Sequence, residues 1–326
     1  MQRRRALQLS GSWLLGGLAC GAARSQTGDY PTRPIHLIVP FAAAGITDIS
    51  SRALAQKLSE RLGQSVVVEN RAGGNQVIGS EYVAKSAADG YRIIMGTMGS
   101  HAVNASLRKD LRFSVKDDFA PISLVTAQPL ILVVNPALNL NSLSQLFALI
   151  RSQPGRRTFG SAGVGTSAHM AGELMKAKTG LSMVHVPYKG SGPMLTDLLG
   201  GQIDMAFDYA PTALPHIRAG RLKALAVTDS KRVDFAPELP AMSEFLPNFR
   251  VLAWQGLFAP AGTPNAVLDK LNAEVQAIMR LPDVVARMRD LGAEPVGNSR
   301  EEFSQFVANE IETWASIIKA NGITAD

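Results

Sequence analysis

The chain has 326 residues, 46% of them hydrophobic and only 18% charged. That is enough to bury one large core or two ordinary ones, and it excludes a disordered chain. The formal charge of +6 is concentrated at the start: residues 1–25 hold Arg3, Arg4, Arg5 and Arg24 and no acid, leaving 29 basic against 27 acidic residues beyond them. The basic balance therefore gives no argument for a nucleic-acid partner.

Three arginines, a mostly apolar stretch from Leu7 to Ala19 and a small-residue run from Cys20 to Ser25 have the layout of a secretory signal peptide. Cleavage is expected near residues 22–25, after Ala22 or Ser25, and export to the periplasm follows. Cleavage there removes Cys20, the single cysteine, leaving no disulfide and no thiol nucleophile. Beyond this segment no apolar run approaches the length of a spanning helix.

Ile35–Val39 reads as a buried strand, and a helix capped by Thr47 or Asp48 runs to about Leu62, where Gly63 ends it. Strands at 66–68 and 92–95 enclose a short helix over 79–86. This strand–helix alternation predicts right-handed βαβ units and a parallel sheet. The pattern restarts after Pro129, with strands at 130–134, 157–160, 183–186, 203–207 and 222–227 and helices at 143–151, 167–178 and 193–199. A strand at 254–258 and helices at 265–279, 284–291 and 300–319 complete the chain. The last helices lack a sheet of their own and are expected to dock on the first lobe. The expected domains are a signal peptide over 1–25, a discontinuous first lobe over 26–127 and 250–326, and a second lobe over 128–249. Two α/β lobes with crossings near 126–129 and 247–253 form a hinge-and-cleft layout.

Common catalytic signatures are missing: there is no Gly-x-Ser-x-Gly, no phosphate-binding loop ending in Gly-Lys-Ser/Thr and no His-Glu-x-x-His. None of the five histidines has metal-ligand spacing to a second histidine or cysteine. Gly163-Val164-Gly165-Thr166-Ser167-Ala168 fits a dinucleotide fingerprint, but the expected acid is missing from the following strand, Met183 to Pro187. What remains is a glycine-rich turn at a helix N-terminus, which favours an anion. Phe41 to Asp48 repeats the device in the first lobe, with Thr47 offering a hydroxyl and Asp48 a cap or a water ligand. Met95 to His101 forms a third strand-end turn with free hydroxyls, and Phe207 to Tyr209 a fourth. In open α/β sheets ligands bind at such strand ends.

The chain resembles the Bug family of periplasmic solute receptors, the extracytoplasmic components of tripartite tricarboxylate transporters. The resemblance rests on Tyr30-Pro31-Thr32-Arg33-Pro34-Ile35, on Ile38-Val39-Pro40-Phe41 with Gly45 and Asp48, and on Leu62 to Arg71. It continues through Asp89-Gly90-Tyr91, Phe159 to Gly163 with Gly165, Thr166 and His169, His185 to Gly190, Leu225 to Thr228 and Ala259 to Pro264. It implies an α/β, two-lobed periplasmic-binding-protein fold (type II-like), each lobe a mainly parallel sheet flanked by helices, with the ligand cleft between lobes. It also implies a small carboxylate, or a related acid or amide, held by backbone N–H groups and bridging waters. Carried onto this sequence, the expected ligand-binding residues are Phe41, Ala44, Gly45, Thr47, Asp48, Thr97, Ser100, His101, Ser161, Gly163, Gly165, Thr166, Ser167 and Asp208. Two positions depart from the family pattern: Ala44 stands where a second glycine is usual, and Tyr209 where a smaller amide is common.

The implied function is capture of a small organic anion and its delivery, by transient contact, to membrane subunits of a tripartite transporter. The chain is expected to be a monomer, with no cofactor, no metal, no nucleic-acid partner and no enzymatic activity. The alternatives are a ligand sensor for a signalling partner and, ranked lower, an exported hydrolase or lyase.

Overall fold

A computed structural model describes residues 30–325, and the chain from Pro31 onward forms one compact unit. The expected signal peptide and Cys20 lie outside the described residues. In chain order the elements are β1 (Ile35–Val39), α1 (Ile46–Leu62), β2 (Val66–Asn70), α2 (Val77–Ala84), β3 (Arg92–Thr97), α3 (Asn104–Leu107), β4 (Phe119–Val134), α4 (Leu143–Ser152), β5 (Thr158–Ser161) and α5 (Ser167–Thr179). They continue as β6 (Val184–Pro187), α6 (Ser191–Leu199), β7 (Met205–Tyr209), α7 (Ala210–Arg218), β8 (Lys223–Val227), β9 (Leu252–Pro260), α8 (Asn265–Met279), α9 (Pro282–Asp290), β10 (Glu294–Pro295) and α10 (Arg300–Asn321).

The strands run in the order β2-β1-β3-β9-β4-β7-β5-β6, with β8 and β10 also on β4. Both parallel triplets expected from the βαβ spacing are present: β2-β1-β3 and β7-β5-β6. The long strand β4 belongs to both halves. From Phe119 to Pro129 it pairs antiparallel with β9, and from Leu130 to Val134 with β7 and β8. The change of partner falls at Pro129, a residue with no N–H to give to a ladder. The sequence pattern starts this strand at Leu130 and makes 126–129 a connection. The structure shows an unbroken strand instead, legible only partly because Pro121 and Pro129 interrupt its pattern.

The second crossing is tied to the first. Thr228 Oγ1 accepts from the Leu130 N–H at 2.8 Å and donates to the Val251 carbonyl at 2.6 Å. The Thr228 N–H bonds the Leu130 carbonyl, and the Val251 N–H bonds the Thr228 carbonyl. The last helices pack with α8 against α1 and β4, and α10 against α3, β4 and α5. Trp254, Phe258, Phe303 and Phe306 interlock beneath them with ring centroids 5.0–6.4 Å apart. Such pairs add roughly 0.5–1.5 kcal/mol each beyond burial. Among the described residues no helix is long and apolar enough to cross a membrane.

Candidate functional site

A cavity of about 610 Å³ opens between the two halves at the carboxyl ends of their parallel strands. Four helices begin on its wall. Gly45 precedes α1, Thr166 precedes α5, Gly190 precedes α6 and Tyr209 precedes α7, and all four line the cavity. No side chain caps α1, α6 or α7. Their opening N–H groups carry the positive end of the helix dipole and lack intrahelical acceptors. Lys189, exposed at the rim, is the one lining residue with a formal charge at neutral pH among the described residues.

Of the expected ligand residues, Phe41, Ala44, Gly45, Thr47, Thr97, Thr166 and Ser167 line this cavity. The others stand behind its wall. Asp48 neither caps α1 at its own position nor faces the space. Its carboxylate accepts from the Ala44 N–H at 2.9 Å, from Asn70 Nδ2 at 2.9 Å and from Arg52 Nε at 3.0 Å. Burial raises its pKa, but the Arg52, Ala44 and Asn70 hydrogen bonds outweigh that and hold it below the usual range. Asp48 thereby pins Ala44 in left-handed backbone, φ 66°, a conformation that glycine adopts freely. This is the physical content of the departure at Ala44.

Ser100 and His101 are buried, so the expected free hydroxyls of the third turn are not free. Ser100 Oγ accepts from the Thr97 N–H at 2.9 Å and pairs with His101 Nδ1 at 2.8 Å. Thr97 Oγ1 donates to Gln76 Oε1 at 2.7 Å. His101 stacks on Phe258 at 4.2 Å. Its close approach requires Gly96, where a Cβ would stand 2.6 Å from its ring. Burial pushes the His101 pKa down to about 3.

The second-lobe turn is also self-satisfied. The Gly163 N–H bonds Ser161 Oγ, the Gly165 N–H bonds His169 Nδ1 at 3.1 Å, and the Thr166 N–H bonds the Gly163 carbonyl. Ser161 Oγ turns from the cavity to His185 Nε2 at 2.7 Å. His185 stacks on His169 at 4.1 Å, and burial lowers the pair to about 3 and about 4. Ser161, Gly163 and Gly165 therefore shape the turn, while Ser167 and the N-terminus of α5 face the cavity.

Asp208 is buried beneath α6 and α7. It accepts from Ser191 Oγ at 2.6 Å and Thr212 Oγ1 at 2.7 Å. Burial lifts its pKa to about 6 despite these donors. Tyr209 lines the cavity, and burial with the neighbouring Asp208 pushes its phenol up to about 12.

Sequence reasoning missed the starts of α6 and α7, with Gly190, Ser191, Gly192, Pro211 and Thr212 on the wall. Pro211 and Pro215 masked α7, although Pro211 sits in the first turn where proline is tolerated. Gln76, Gln128 and Gln255 on the cavity floor escaped it too.

Two α/β halves joined by a two-strand ribbon, with four helix starts facing one cavity, define a two-lobed solute-binding protein. The chain belongs to the tripartite tricarboxylate transporter family of receptors (TctC), which it matches over residues 50–323. It is 40% identical over 303 residues to protein BugT of Bordetella pertussis, covering 92% of this chain and 93% of BugT. An R. palustris protein solved with adipate superposes with a TM-score of 0.84 at 37% identity, over 91% of this chain and 99% of that one. MatC from Rhodopseudomonas palustris, solved with bound malate, gives 0.80 at 32% identity over 89% and 100%. The family is one of periplasmic solute receptors, not enzymes.

Proposed function

We propose that this chain captures a small organic carboxylate in the cavity between its lobes and presents it, as a monomer in transient contact, to the membrane subunits of a tripartite transporter. The carrying observation is the convergence of four helix N-termini on a wall with, among the described residues, no acidic side chain and no arginine. Each helix start contributes roughly 0.3–1 kcal/mol towards an anion, so the charge is shared among backbone donors instead of resting on a guanidinium clamp. The adipate and malate found in two relatives support the same ligand class. The lobes divide near residues 127 and 250, Phe41, Ala44, Gly45, Thr47, Thr97, Thr166 and Ser167 line the ligand, and Asp48, Ser100, His101, Ser161, Gly163, Gly165 and Asp208 hold that lining in place. Export follows cleavage near residues 22–25, placing the receptor in the periplasm.

A thermal-shift screen of mono- and dicarboxylates, followed by calorimetry, tests this reading. A ligand that binds only the native state raises the unfolding temperature in step with its excess over Kd. Carboxylates should raise it while the matching neutral amides and alcohols do not. A screen in which neutral or cationic solutes bind and carboxylates fail refutes the proposal.

A further inference from the structure

One face of the ribbon that joins the lobes carries a row of amides. In the β4–β9 register Gln128 stands opposite Ala253, and Ala253 shares its face with Gln255 two residues on. Gln128 and Gln255 are thus diagonal neighbours on one face. In the β3–β9 register Gln255 stands opposite Thr97, whose hydroxyl donates to Gln76 Oε1 at 2.7 Å. The row Gln128, Gln255, Gln76 therefore crosses the floor, and all three line the cavity.

These amides are 3%, 5% and 6% exposed, so each polar atom matters energetically. Gln76 and Gln255 have their oxygens engaged, the second by Ser50 Oγ at 2.5 Å. That leaves their NH2 groups to the cavity. The Gln128 side chain has no hydrogen-bond partner among the described residues. Its amide is open to the cavity, where a ligand can pair with it.

Glu310 takes the Trp254 indole N–H at 2.8 Å and that of Trp314 at 3.2 Å, on the face of the ribbon opposite the one shared by Ala253 and Gln255. Among the described residues lining the cavity there is no arginine, and the one lysine, Lys189, belongs to the second lobe. A second carboxylate placed on this floor would be desolvated without a counter-charge, which is costly. A neutral acceptor needs none.

Resting on the carboxylate reading above, we infer that Gln76, Gln128 and Gln255 form a neutral donor shelf for the second polar end of the ligand. That end is an uncharged acceptor, best a primary amide. Its carbonyl accepts from the glutamine NH2 groups, and its own N–H can donate to Gln128 Oε1. The ligand class is then a monocarboxylate with an amide-like far end, not a dicarboxylate.

Calorimetry with adipamate, adipate and hexanoate, and with succinamate, succinate and butyrate, tests this on the full mature chain. At the better-fitting length the amide acid should bind at least tenfold tighter than both the diacid and the plain acid. Gln128→Met keeps the side-chain length and removes the amide. It should cost the amide acid about tenfold relative to the plain acid. A diacid that matches or exceeds the amide acid overturns the inference while leaving the carboxylate reading intact. So does a Gln128→Met variant that weakens all probes equally. The ranking on the unaltered protein decides the matter even where the variant fails to fold. Failure of all six probes removes the carboxylate reading and this inference with it.

Discussion

Asp208→Asn gives a signed, quantitative consequence of the site's electrostatics. The carboxylate is buried, accepts from the Ser191 and Thr212 hydroxyls and the Tyr209 backbone, and is lifted by burial from 3.8 to about 6. A folded-state pKa above the unfolded value means that the native state grips the proton more tightly. The stability so gained is fully present below 3.8 and is lost as pH rises through about 6. The full displacement corresponds to about 3 kcal/mol, of which about 2–3 kcal/mol falls between about pH 4 and about pH 7.5. Asn keeps the shape and removes the titration. The Thr212 hydroxyl can accept from the new amide by turning its own proton to the Tyr209 carbonyl, 3.0 Å away. Urea unfolding of both proteins across this range should show the variant gaining about 2–3 kcal/mol on the wild type towards high pH. The buried histidines titrate alike in both chains and cancel in the difference. Parallel pH profiles would refute the reasoning, because they would show Asp208 titrating as a solvated carboxylate. A bound anion near Asp208 should lift its pKa further, so wild-type affinity for an always-ionised ligand should rise as pH falls towards 6, and the variant should lose that dependence.

Two other outcomes are expected. Ala44 sits at φ 66° on the cavity wall, a conformation that costs an L-residue roughly 1–2 kcal/mol. Ala44→Gly relieves it at an unfolded-state cost of about 0.4–1 kcal/mol. The net change should run from about zero to roughly 1.5 kcal/mol of stabilisation, with a wider ligand range by calorimetry as the methyl leaves the wall; clear destabilisation in urea contradicts this. The lobes should close on ligand by rotating about the paired crossings at Pro129 and Val251–Leu252, which Thr228 holds together. Small-angle scattering should give a smaller radius of gyration in saturating ligand, and an unchanged radius shows a rigid pocket.

Much of the fold was legible because its repeated unit is local. Alternating apolar runs and helix-period segments located β1, α1, β2, β3 and the parallel units of the second half without reference to long-range contacts. The first part of β4 and the whole of α7 escaped because of proline inside the pattern, Pro121 and Pro129 in β4 and Pro211 and Pro215 in α7; the short α3 and β10 escaped too. Proline is read from sequence as a breaker. In β4 Pro129 marks the place where the strand exchanges one sheet for the other, and in α7 Pro211 occupies a first-turn position whose N–H has no intrahelical partner.

The site divides along a different line. Gly-rich and small-residue turns announce themselves, and those at Phe41–Thr47 and Thr166–Ser167 line the cavity. Whether a hydroxyl or carboxylate in such a turn faces ligand or braces the turn depends on contacts from distant strands. Asn70 and Arg52 draw Asp48 inward, His185 takes Ser161, and the Phe119 and Phe258 rings bury His101. Only Asp48–Arg52 has a helical i,i+4 spacing; no spacing encodes the other pairings. The amide row is the hardest case. Gln128 and Gln255 lie in buried strands, where a lone polar residue in an apolar run reads as an imperfection. Only the antiparallel register that puts them diagonally on one face, next to Thr97 and Gln76, turns three scattered residues into one surface. The backbone donors of the helix starts can recognise any small anion. Discrimination among anions therefore has to come from side chains fixed by sheet register, which is where these glutamines stand.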